Sequence, residues 1–76
     1  MFSLRTDMTA ELERLKNQII KLVEEKGYPG ELGALAADSL GSEKAMTRMI
    51  GWLSHSEPRS AEDIADEMLA ICEARD

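Results

Sequence analysis

The chain has one cysteine, Cys72, one histidine, His55, and one valine, Val23. It has two prolines, Pro29 and Pro58, and three aromatics, Phe2, Tyr28 and Trp52. Each scarcity excludes something. A lone cysteine cannot form a disulfide within the chain. A single valine and no alternating apolar run leave no basis for a β-strand. No uninterrupted apolar run approaches the ~20 residues that a membrane-spanning helix needs, so no membrane is implied. One histidine and one cysteine give nucleophilic catalysis almost no material. With 76 residues the chain has room for one domain, residues 1–76, and no room for separate cofactor and substrate lobes.

Apolar residues make up 43% of the chain, too many for a disordered tail. A body this small buries only a modest share of its surface and gains from a second source of stability. Without disulfides, self-association is the expected source. The lone thiol and the absence of a charged-then-apolar leader point to a reducing, cytoplasmic setting. Nine Lys+Arg against 15 Asp+Glu give a formal net charge of -6. The imbalance gathers late in the chain. Residues 59–76 hold two basic side chains (Arg59, Arg75) and six acidic ones (Glu62, Asp63, Asp66, Glu67, Glu73, Asp76), whereas residues 1–26 hold five of each. A phosphate backbone would be repelled by the C-terminal end, which argues against nucleic acid as a partner.

Apolar spacing predicts an all-α bundle of four helices, the second short, with no β-sheet. The first is expected over roughly 8–26, where Met8, Leu12, Leu15, Ile19 and Leu22 recur at spacings of 4, 3, 4 and 3. That is one helical stripe and also a short heptad seam. Val23 widens it, and Ile20 lies about 100° round from Ile19. Gly27 can take a left-handed stop, with Tyr28 folding back on Val23. The second helix, 30–40, is expected to bury Leu32, Leu35, Ala36 and Leu40 and to end at Gly41. Ser42 is a candidate N-cap for the third, 43–54, with Ala45, Met46, Met49, Ile50 and Leu53 inward. His55-Ser56-Glu57 then reads as a turn. The fourth, 61–74, starts on a capping box of Ser60 and Asp63. Ala61, Ile64, Ala65, Met68, Leu69, Ile71 and Cys72 form its inward arc. The last three helices are expected to close a unit through Leu35, Leu40, Met46, Ile50, Leu53, Ile64, Met68 and Ile71, with the first helix laid against it.

Few residue sets carry chemistry. His55 in a turn and Cys72 on an inward arc show no spacing that would pair them. Asp63, Asp66 and Glu67 share one helix face, but no second helix offers a matching carboxylate–histidine pattern, so no metal is implied. The Gly27-Tyr28-Pro29-Gly30 turn lacks the Lys-Ser/Thr of a phosphate loop, so no cofactor is implied. The chain is therefore expected not to be an enzyme.

Two interaction readings remain. In the first, apolar surface wraps too far round the opening helix for one small body to cover. Leu12, Leu15, Ile19 and Ile20 then bind a second copy or another protein, and Trp52, at the edge of the third helix, is either an anchor in that contact or a lid on the core. In the second, Ala37-Asp38-Ser39-Leu40-Gly41 and the following helix resemble the helix-turn-helix pattern. Ala37 is the small residue four before the turn glycine, and Ile50 fills a later apolar position. Thr47 stands where that family usually has Val or Ile, and polar Ser42 follows the glycine. The resemblance implies major-groove contacts from Lys44, Thr47 and Arg48. Residues 42–58 hold only Lys44 and Arg48 against Glu43 and Glu57, which supplies little phosphate affinity.

Leu40-Gly41-Ser42-Glu43-Lys44-Ala45-Met46, Arg48-Met49-Ile50-Gly51-Trp52-Leu53 and Ile64-Ala65-Asp66-Glu67-Met68-Leu69-Ala70-Ile71 together resemble small uncharacterised helical proteins of anaerobic Firmicutes. The resemblance implies a small cytoplasmic bacterial protein and supplies no activity or ligand. The expected function is a non-catalytic protein-interaction domain, self-associating through its apolar helical surface.

Overall fold

A computed structural model describes residues 4–74, with side chains described from Ala10 to Glu73. It contains four helices: α1 (Leu4–Glu25), α2 (Gly30–Leu40), α3 (Glu43–His55) and α4 (Ala61–Ala74). There is no strand among the described residues. α1 extends further toward the N-terminus than its apolar spacing suggested; the side chain of Met8 lies outside the described set.

The helix ends follow local signals. Gly27 adopts φ 94, the left-handed conformation. The Tyr28 N–H reaches the Val23 carbonyl at 3.2 Å and the Gly27 N–H reaches that of Glu24 at 3.0 Å. This double closure satisfies carbonyls that the end of α1 would otherwise leave unpaired. The Tyr28 hydroxyl donates to the Pro58 carbonyl at 2.9 Å, tying the α1–α2 turn to the α3–α4 turn. At α3 the Ser42 hydroxyl accepts from the Ala45 N–H at 3.2 Å, as an N-cap should. His55 belongs to the last turn of α3 and not to the loop; its Nδ1 lies 2.8 Å from the Gly51 carbonyl. The start of α4 departs from the expected box. The Asp63 carboxylate accepts from the Arg59 N–H at 2.8 Å, one residue before Ser60.

Packing differs from expectation in one important respect. α1 is the centre of the molecule. Its largest interface is with α2 and its next with α3, whereas α2 and α3 meet only slightly. α4 closes the other side, against α2 and α3. The core holds Ile19, Val23, Leu40, Met49, Leu53 and Ile64 with no exposure. Met46 and Ile71 are also buried, while Ile50 and Met68 are half-buried at its margin.

Leu35 and Leu69 correct the expected core: they are 62% and 52% exposed. The reason lies in the α1–α2 contact. A Cβ placed on Gly33 would come within 2.7 Å of the Ile20 Cα, and one on Gly30 within 3.3 Å of the Ile20 Cγ2. α2 thus turns its small residues toward α1. Gly33, Ala36, Ala37 and Leu40 are buried, and Leu35 is left facing out.

Candidate interaction surface

The apolar surface of α1 is covered from within. Ile19 and Val23 are fully buried in the core. Ile20, the residue that implied a second partner, lies half-buried against the glycines of α2. Leu12, Leu15 and Leu22 are half-buried and pack on the core. The surplus expected of this helix is therefore met by α2 on one arc and α3 on the other. Ile19 has no surface to offer a partner, and Leu12, Leu15 and Ile20 offer only their margins.

Trp52 is half-buried and packs on the core as a lid. With Arg48 and Gly51 of α3, and Glu67, Ala70 and Ile71 of α4, it lines a shallow open groove. A second shallow groove runs along Leu12, Glu13, Lys16, Ala37, Asp38, Gly41 and Met46. Lys16 pairs there with Asp38 at 3.2 Å.

The residues named for the helix-turn-helix resemblance lie on either side of a left-handed glycine, between two helices that meet only slightly. Gly41 has φ 69, and its N–H bonds the Ala37 carbonyl at 3.1 Å. Lys44, Thr47 and Arg48 are exposed on α3. The Thr47 hydroxyl, however, donates back to the Glu43 carbonyl at 2.8 Å. The acidic Glu67 shares the groove of Arg48, which weakens an already sparse positive face.

The exposed leucines occupy one place. The Tyr28–Pro58 hydrogen bond joins the starts of α2 and α4. Near the other end the Cys72 thiol donates to the Ser39 carbonyl at 3.6 Å. The two helices therefore run side by side in the same direction. Leu35 is one turn before Ser39, and Leu69 is one turn before Cys72, so both stand at the same level beside the seam. The buried residues of the pair, Ala36 and Leu40 with Ile64 and Ile71, lie on the inner side. Leu35 and Leu69 share the outer side. Half-buried Leu32, Ala65 and Cys72 continue the apolar strip between them. Leu35 and Leu69 are the large hydrophobics that stand exposed among the described residues.

A sequence signal for this strip existed. Leu35 has Glu31 and Asp38 one turn away on either side, and Leu69 has Asp66 and Glu73. A leucine ringed by carboxylates on its own helix sits on the watery side of that helix, since buried carboxylates need partners.

Cys72 and His55 each face a backbone carbonyl of a neighbouring turn or helix. Among the described residues no three His, Cys, Asp or Glu side chains converge as a metal site, and no helix is long and apolar enough to cross a membrane. Architecture and surface together define an all-α four-helix domain with an apolar strip over the α2–α4 seam. Comparison with family models, curated proteins and solved structures finds no match to this chain.

Proposed function

We propose that this is a non-catalytic protein-interaction domain that docks its partner on the outer face of α2 and α4. The observation that carries the reading is the pair Leu35 and Leu69, 62% and 52% exposed and level with each other across one seam. Adjacent apolar exposure of this kind marks contact surfaces. The self-pairing expected through Leu12, Leu15, Ile19 and Ile20 is set aside, because Ile19 is buried and the other three offer only their margins. Covering both exposed leucines is worth on the order of 2 kcal/mol, roughly thirtyfold in affinity. That is too little for a stable complex alone, so polar contacts must contribute.

A DNA-binding role is the rival reading, favoured by the left-handed Gly41 and the exposure of Lys44, Thr47 and Arg48. Site-specific photo-crosslinking in intact cells separates the two. A crosslinker at position 35 or 69 is expected to give discrete protein adducts, and one at position 47 or 48 none. Nucleic-acid adducts from 47 or 48, with none from 35 or 69, would reverse the assignment.

A further inference from the structure

The charge around the strip identifies the chemistry of its occupant. α2 carries Glu31 and Asp38, and α4 carries Glu62, Asp63, Asp66, Glu67 and Glu73; neither helix has a lysine, arginine or histidine. The acids bordering the leucines are spaced in matching fashion. Glu31 and Asp38 lie four before and three after Leu35, and Asp66 and Glu73 lie three before and four after Leu69. These offsets place them on the same outer face as the leucines, and all four are exposed. The apolar strip thus runs between two acidic rows. Among the described residues Asp38 has a cation at hand, Lys16 from α1 at 3.2 Å.

We infer that the occupant is a basic amphipathic helix of another protein. Its apolar stripe would cover Leu35 and Leu69, and flanking Lys or Arg would meet Glu31 on one side and Asp66 and Glu73 on the other. This inference rests on the docking reading above and adds to it the charge and shape of the partner. A second copy of the chain fits poorly. A twofold contact places the same patch on both sides, and here that sets carboxylates against carboxylates, which costs affinity. A helix suits the site because α2 and α4 touch along their length and run in the same direction, so the apolar strip is elongated like a helix. At 1.5 Å per residue α2 and α4 offer a strip of about 16 to 21 Å, or three to four helical turns. Amphipathic helices laid in grooves are a common mode of recognition.

The test pans a displayed library of helical peptides of about 16 residues against the whole protein. The apolar stripe is fixed at i, i+3 and i+7, and the flanking positions are open to Lys, Arg, Glu and Gln. The expected result is enrichment of Lys and Arg at the flanks. Binding of a selected peptide should weaken by roughly tenfold or more with Leu35→Ser or Leu69→Ser. It should also weaken with Glu31→Gln combined with Asp66→Gln, and as NaCl rises from about 50 to about 500 mM. Circular dichroism checks that these exposed substitutions keep the fold. Enrichment of acidic or neutral flanks that still depends on Leu35 and Leu69 would overturn the basic partner and leave the docking face standing. No enrichment, or binding indifferent to both leucines, would overturn both. A dimer in light scattering that Leu69→Lys dissociates would make a second copy the occupant, and the inference would fail.

Discussion

Gly33 and Gly51 both sit inside helices, where glycine costs about 1 kcal/mol relative to alanine. Their surroundings give opposite predictions. A Cβ at Gly33 would press on the Ile20 backbone at 2.7 Å, while a Cβ at Gly51 meets nothing within 4 Å. Backbone cannot swing aside as a side chain can. Gly33→Ala should therefore destabilise the protein by roughly 1–3 kcal/mol. Gly51→Ala should stabilise it by up to about 1 kcal/mol. Urea midpoints at constant slope measure both. A neutral Gly33→Ala would mean that α1 and α2 stand further apart than described. The same contact explains why Leu35 misleads a reader of the sequence. Leucine is the residue that burial favours, yet the side of α2 that goes inward is chosen by how closely two backbones approach, and that choice falls on glycine and alanine.

At the scale of the helices, the end of α1, both ends of α2 and the start of α3 were legible because their causes are local, while the start of α1, the last turn of α3 and the cap of α4 were not. Gly27, Pro29, Gly41, Ser42 and Pro58 act on the chain within a turn of themselves. Ser42→Ala should cost about 1 kcal/mol by leaving the Ala45 N–H without its acceptor, read from the thermal midpoint. An unchanged midpoint would show that water serves as well as the hydroxyl. What the sequence leaves open is nonlocal. Periodicity showed that α1 carries apolar residues on two arcs, but not whether the covering surface came from α2 or from outside the chain. The candidate surface was hidden for the same reason. It lies across a seam between helices 30 residues apart in sequence, as the Tyr28–Pro58 bond shows. Only the acidic neighbours of Leu35 and Leu69 hinted at it.

For the molecule as a whole, the position of α1 decides the behaviour in solution. If α2 and α3 cover its two arcs, no pairing through α1 is needed for stability. Light scattering should give the mass of one chain. Ile20→Asp should lower stability by roughly 2 kcal/mol without changing that mass, since the new carboxylate would face Gly30 and Gly33 within the same chain. Loss of mass with Ile20→Asp would restore the α1-paired dimer and displace the present account.

The most direct measurement is the access of a soluble paramagnetic agent to individual methyl groups. Leu35 and Leu69 should lose their methyl signals first, while Ile19 and Val23 keep theirs and Ile20 falls between. Strong bleaching of Ile19 and Ile20, with Leu35 and Leu69 protected, would contradict the placement of the docking face on α2 and α4.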